Sequence, residues 1–378
     1  MQSLHKILFT FFLLSFYIIS PTTIACTDFR LMASNGTVII TRSMEFAPDL
    51  QSNLRSSPRG RSFSTVAPDG TRGMAWNAKY GYLFLDGFGQ DIVIDGMNEA
   101  GLSIEALYLP NYAQYQIVPP GKNAQALPYF NFGDWVLGNF QSVKEVKQAL
   151  NNIYLFAQRI PSLGNMIFPL HFAIYGPTGE SIIVEYINGN LAIHDNRLGL
   201  LTNAPNYQWH MTNLSNYVYL KTIGPQPILD NGILFNATGQ GAGMMGLPGD
   251  ISPPSRFVKT AVLTHVVLPV SDATGALNLA EHIINNVDIP KGLAREPQDN
   301  NKYTNDITQW VVFKDLTHKV FYYRTYDNLS LHAVDMKKIN FSENAPRLKM
   351  PIASPAYIQD MTATFLKSQV PLHTATGH

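Results

Sequence analysis

The sequence predicts an α+β protein made of mainly antiparallel sheets with helices packed on their outer faces. Two observations carry this. Apolar, β-branched segments recur in pairs joined by Asn-Gly or Gly-containing turns, and helical periodicity fills the gaps between pairs. The resulting order β, α, β, α, β fits sheets covered by helices and does not fit a doubly wound parallel sheet.

The first pair is 27–32 and 37–42, folded back at Asn35-Gly36, a dipeptide that is the strongest short hairpin signal available. The second is 91–95 and 102–108, around the turn residues Asn98 and Gly101. Helix follows at 135–140, and Ser142 with Glu145 three residues on is a capping box that opens a second helix over 143–153. Strands return at 171–175 and 181–186 across Gly176-Pro177-Thr178-Gly179, and again at 191–194 after Asn188-Gly189-Asn190. Helical spacing reappears at 255–267, behind Pro253-Pro254 and with Ser255 as the N-cap, and at 276–287, which ends before Pro290. Strands at 309–314 and 319–325 close the series. The aromatic group Tyr322, Tyr323 and Tyr326 reads as core and sheet surface.

The first 25 residues read as a leader. A short positive stretch, 1–6, precedes the apolar run 7–20, and Pro21 to Ala25 end on a small residue directly before Cys26. The apolar run is too short for a membrane span. Residues 1–25 are therefore expected to be a cleaved signal peptide and 26–378 one catalytic domain, exported to the periplasm or medium and soluble after processing. No linker, repeat or charge block divides the remainder.

Cys26 is the only cysteine. An internal disulfide is impossible, so the thiol has another purpose. Three readings stand: a buried structural cysteine, a lipidation site in a lipobox-like Thr23-Ile24-Ala25-Cys26, or a nucleophile that becomes the N-terminus on cleavage. The third explains the position best, because a free α-amine titrating near pH 8 (roughly 7.7–8) accepts the thiol proton. Lipidation would consume the sulfur, so the second and third exclude each other.

Lys plus Arg and Asp plus Glu both number 27, which leaves no net field for nucleic acid or an anionic membrane. The ten histidines lack paired metal-ligand spacing, so no metal is implied. Gly241-Ala242-Gly243-Met244-Met245-Gly246 matches a dinucleotide pattern, but Pro248 and Pro253-Pro254 forbid the helix such a site needs, and a loop is expected instead.

Several separated motifs occur in one order: Cys26-Thr27; Arg42-Ser43-Met44-Glu45-Phe46; Asp95-Gly96-Met97-Asn98-Glu99-Ala100-Gly101-Leu102; Leu201-Thr202-Asn203-Ala204-Pro205; and Gly246-Leu247-Pro248-Gly249-Asp250 with Pro254-Ser255-Arg256-Phe257. Together they resemble the choloylglycine hydrolase family, the group of bile salt hydrolases and penicillin V acylases. The resemblance implies a four-layer αββα sandwich, the N-terminal-nucleophile hydrolase fold, and cleavage of a linear amide without a cofactor. It also implies roles. Cys26 attacks the amide carbonyl, Arg42 favours the thiolate, Asn203 serves the oxyanion, and Arg256 lies near the thiolate and amine. Glu45 stands where the family usually has Asp, orienting the amine. Tyr108 falls at a substrate position where penicillin acylases tend to have Tyr and bile salt hydrolases Asn.

Read locally, the same residues are unremarkable: Arg42 an exposed strand arginine, Glu45 a surface carboxylate, Asn203 a turn residue before Pro205, Tyr108 the core end of a strand. The apolar and aromatic stretch 112–132 is expected to contribute a pocket for an aromatic or fatty acyl group. The partner is a small-molecule N-acyl amide, and the resemblance offers penicillin V, bile-salt amides or N-acyl homoserine lactones. Homotetramers are common in the family, and 208–219 is the corresponding candidate assembly extension.

Overall fold

The computed structural model describes residues 25–298 and 302–367. Of the leader, only Ala25 lies within them. Among the described residues, two large sheets face each other. The first runs in spatial order Leu200–Leu201, Cys26–Met32, Val38–Phe46, Tyr303–Asp315, Val320–Thr325 and His332–Asp335, with Ala294–Pro297 also paired to Tyr303–Asp315. The second runs Asn190–Asp195, Ser181–Ile187, Leu170–Tyr175, Ser103–Tyr108, Gln90–Asn98, Tyr82–Gly87, Asn53–Ser57 and Lys349–Pro351. The pairings in both are antiparallel.

Period-two alternation separates the layers. Leu83, Leu85, Leu107, Ala173, Tyr175 and Ile183 join the core shared with the first sheet. Their neighbours Tyr82, Phe84, Ala106, Phe172, Ile174 and Ile182 pack instead with Phe132, Trp135, Val136 and Val146 of helices Phe132–Asn139 and Val143–Ala149. Helices Pro253–Val266 and Ala273–Ile284 cover the other face of the first sheet through Phe257, Ala261, Ala276, Ala280 and Ile283. The result is the expected α+β, αββα arrangement.

Strand Val38–Phe46 is buried along its whole length because helices cover one face and the second sheet the other. Any polar side chain on it is an interior one. Arg42 and Glu45 are accordingly both fully buried, which removes the exposed readings of each. Three residues apart on a strand, they emerge on opposite faces.

The Asn98 motif has a structural role. Asn98 Nδ2 donates to Leu137 O at 2.9 Å and Phe140 O at 2.7 Å, closing the end of a helix, while its Oδ1 accepts from Ala100 N and Leu102 N. Gly101 sits at φ +92°, a conformation that side chains resist.

Several boundaries move. The 135–140 helix begins earlier, as Phe132–Asn139, and the 309–314 strand extends to Tyr303–Asp315. The N-cap of the helix after Pro253-Pro254 is Ser252 rather than Ser255, whose Oγ donates to Asp250 Oδ2 at 2.6 Å. Ser142 caps as expected, accepting from Glu145 N. The glycine run 241–246 holds a single short turn, Ala242–Met244, with no helix directly after it. No helix among the described residues is long and apolar enough to cross a membrane.

Candidate active site

The hairpin at Asn35-Gly36 sets the strand register that builds the site's centre. Cys26 pairs with Met44 and Asp28 with Arg42, so the sulfur and the guanidinium lie diagonally on one face. Arg42 Nη2 is 3.7 Å from Cys26 Sγ. Met44 Sδ lies 3.8 Å from the same sulfur. The guanidinium is held in place by second-sheet backbone, with Nη1 donating to Ile94 O at 2.9 Å and Nη2 to Ala106 O at 2.6 Å. Burial works against its charge, but the Cys26 sulfur, Asp95 and Glu105 outweigh burial and raise its pKa.

The opposite side of Cys26 is gripped by residues from distant parts of the chain. Arg256 Nη1 donates to Cys26 O and, at 2.6 Å, to Thr27 Oγ1, while Nη2 donates to Asn203 Oδ1 at 2.9 Å. Asn203 Oδ1 also accepts from Cys26 N. Its Nδ2 donates to Tyr108 O at 2.9 Å. Burial lowers the Arg256 pKa against the pull of Glu45 and Cys26. Arg256 is thus a fully buried clasp on the backbone of Cys26, which accounts for a cation in the first turn of a helix.

Glu45 is placed differently from the expectation. Its Oε1 accepts from Thr308 Oγ1 at 2.8 Å, its backbone N–H donates to Ala25 O at 2.9 Å, and its Oε2 has no partner. The backbone N–H of Cys26 donates to Asn203 Oδ1 and not to this carboxyl. Burial raises the Glu45 pKa to about 7, with Arg256 opposing the rise. The carboxyl therefore lies on the helix-facing side of its strand, with Arg256, while Arg42 faces the second sheet.

From Cys26 Sγ a cleft runs between the sheets, lined by Phe46, Phe88, Ile94, Tyr108, Tyr129, Phe130, Phe168 and Phe172 among others. Its wall is almost wholly apolar apart from Cys26 and Arg42. Of the stretch 112–132, Tyr129 and Phe130 reach this wall, whereas Tyr112 is exposed.

Two histidines outside the expected site residues hold the Asn203 segment. His171 Nε2 lies 2.9 Å from Thr202 O, with its Nδ1 3.0 Å from Glu185 Oε1; His210 Nε2 lies 2.8 Å from Asn203 O. No spacing rule could have found them, because the partners are backbone carbonyls. Burial lowers the His210 pKa from 6.5 to about 4, so the neutral ring donates to Asn203 O through Nε2. The unfolded chain then binds more protons than the fold between those values. This contribution is present above pH 6.5 and lost as pH falls through about 4. It is worth about 3 kcal/mol at most. Thermal unfolding of wild type and His210→Gln across pH 7.5 to about 4 checks it: the variant should lose less stability on acidification, and parallel curves would remove His210 from this role.

Residues 26–350 match the family model described as linear amide C–N hydrolases, choloylglycine hydrolase family. The chain is 33% identical over 335 residues to a bile salt hydrolase/transferase of Clostridium perfringens (strain 13 / Type A), covering 84% of this chain and 94% of that one. It is 27% identical over 348 residues to a penicillin V acylase of Pectobacterium atrosepticum, covering 87% and 84%. Among solved structures, a variant conjugated bile acid hydrolase from Clostridium perfringens superposes with a TM-score of 0.77 at 32% identity, over 88% of this chain and 99% of that one. The penicillin V acylase from Agrobacterium tumefaciens gives 0.70 at 25% identity, over 87% and 92%.

Proposed function

This chain belongs to the choloylglycine hydrolase family of linear amide C–N hydrolases, and on that premise we propose that it cleaves N-acyl amides with an apolar acyl group, using Cys26 as nucleophile and base. The carrying observation is the apolar cleft that starts at Cys26 Sγ. An aryl or alkyl acyl group seated there leaves its carbonyl at the sulfur and its amine toward solvent.

Removal of residues 1–25 turns the Cys26 nitrogen from an amide donor into an amine. That amine takes the Sγ proton, and Arg42 at 3.7 Å holds the thiolate by charge. Sulfur adds to the carbonyl carbon. The negative charge that forms on oxygen is met by the second N–H of Asn203 Nδ2, whose first is on Tyr108 O. Collapse of the adduct expels the amine product, which takes the proton from the Cys26 ammonium, and leaves a thioester. Water then adds to the thioester with the α-amine again as base, and the carboxylic acid leaves with the thiol restored. Glu45 and Arg256 set the charge around that amine from the helix side.

Lipidation at Cys26 has no support in this geometry, since the residue is 1% exposed and faces the cleft. Export belongs to the same reading: the secreted protein should begin at Cys26 by intact mass. So does self-association, for which Val218 and Tyr219 at the end of 208–219, with Ile228, Leu229 and Phe235 beyond it, provide exposed apolar side chains.

The test is a hydrolysis panel with the processed protein: aryloxyacetyl amides, medium-chain acyl homoserine lactones and bile-salt conjugates. Turnover should be highest where the acyl group is apolar throughout. Phe168→Ser should lower kcat/KM for those substrates by roughly tenfold to a hundredfold without changing the rate of Cys26 alkylation. Preference for an acyl group with polar substituents throughout would overturn the assignment of the cleft.

A further inference from the structure

Directly behind Arg42, five ionisable side chains are buried with no exposure: Asp28, Arg42, Asp95, Glu105 and Lys314. Lys314 Nζ donates to Asp95 Oδ1 at 2.6 Å and to Glu105 Oε1. Asp95 Oδ2 lies 3.5 Å from Arg42 Nη1. The chain of contacts therefore runs Glu105, Lys314, Asp95, Arg42, Cys26 Sγ, crossing between the two sheets three times and ending on the first. Tyr175 Oη donates to Asp28 Oδ2 at 2.5 Å. Glu105 Oε2, Asp28 Oδ1 and Arg42 Nε have no hydrogen-bond partner among the described residues. An array so costly to desolvate is poor at stabilising a fold compared with an apolar core, which points to a use.

We propose that Lys314 is a positioning residue for the nucleophile: it holds Asp95 on one carboxylate oxygen, leaves the other for Arg42, and with Arg42 cancels Asp95 and Glu105, so that the guanidinium stays aimed at Cys26 Sγ. This rests on the reading of Cys26 as nucleophile. The charges add up only with Lys314 in place. Arg42 and Lys314 are two cations facing Asp95 and Glu105; burial raises the Glu105 pKa to about 7, with Lys314 the first of the groups opposing that rise, while burial and Glu105 push the Asp28 carboxyl well up, toward its neutral form. Without the ammonium, Asp95 loses its second anchor and draws the guanidinium toward itself, and wherever Glu105 stays ionised the thiolate must form in a more negative surrounding. The other charged groups around the sulfur are Arg256 from the helix side, Glu45 on the Arg42 strand and the α-amine of Cys26 itself. None of these contacts Lys314.

A single cysteine makes the test clean, since alkylation by iodoacetamide reports Cys26 alone. Alkylation rate against pH is measured on processed wild type, Lys314→Met, Lys314→Arg and the double variant Lys314→Met/Glu105→Gln, with thermal unfolding and kcat/KM in parallel. Lys314→Met should move the alkylation midpoint up by about one pH unit and slow alkylation near pH 6.5 about tenfold. The arginine variant should restore it, and so should the double variant, which keeps the charges balanced without a lysine. A lowered melting temperature with an unmoved midpoint would make the array structural and overturn the proposal. Should Lys314→Met not fold, the double variant and Lys314→Arg still decide: midpoints unlike wild type in both, despite balanced charge, would overturn it. Alkylation does not depend on any amide substrate, so failure of the hydrolytic reading shows as absent turnover with an intact alkylation profile.

Discussion

Cys26→Ser is expected to retain its fold and lose hydrolysis by on the order of 10⁴-fold or more. An α-amine titrating at roughly 7.7–8 removes a thiol proton readily, whereas a hydroxyl is many pH units harder to ionise, and nothing else near Cys26 is a base positioned for it. Arg42 stands 3.7 Å from a sulfur, and the shorter C–O bond draws the oxygen back from that charge. The change costs little packing, because the side chain loses volume at the head of an open cleft. Initial rates, intact mass and melting temperature together decide it. Activity within tenfold of wild type in a protein starting at residue 26 would end the mechanism, as would full activity in a chain that keeps residues 1–25.

Asn203→Ala should lower kcat by about 10²- to 10³-fold, the usual loss for one oxyanion donor, with a much smaller change in KM. The structure adds a second reason for a large effect. Asn203 Oδ1 accepts from both Cys26 N and Arg256 Nη2, so truncation also leaves a buried guanidinium N–H and the nucleophile's nitrogen without their partner. Asn203→Asp separates the two roles, because it keeps an acceptor and loses the donor. If the oxyanion role dominates, both variants lose kcat to a similar extent. A near-normal kcat in Asn203→Asp would instead assign Asn203 to holding the nitrogen of Cys26. A fall confined to KM in both would assign it to substrate placement.

Much of the fold could be read locally. Asn35-Gly36 between β-branched segments gave a hairpin because the turn residues adopt positive φ at little cost, and the structure has that hairpin with Gly36 at φ +87°. Ser142 with Glu145 gave a helix start because one hydroxyl satisfies an otherwise unpaired N–H. Strands 53–57 and 82–87 were missed: the second turns into 90–98 through Phe88-Gly89, but the first is held by pairing with 82–87 and with the distant 349–351. The cap expected at Ser255 was placed too late, since the helix already begins at Pro253, whose fixed φ suits the first helical position.

The sequence by itself singled out Cys26, for a lone cysteine directly after a leader-like segment needs no tertiary information to stand out. It also placed Arg42 near Cys26, because a two-strand hairpin converts a separation of sixteen residues into diagonal neighbours. The tertiary structure decided everything that depends on faces and on distant partners. Glu45 went to Thr308 and the Arg256 side because a three-residue step along a strand reverses the face. His171 and His210 gained a role only when Thr202 O and Asn203 O were brought to them. Lys314, 219 residues from Asp95, reads as one more strand residue until two sheets close over it and remove the water that would otherwise screen its charge.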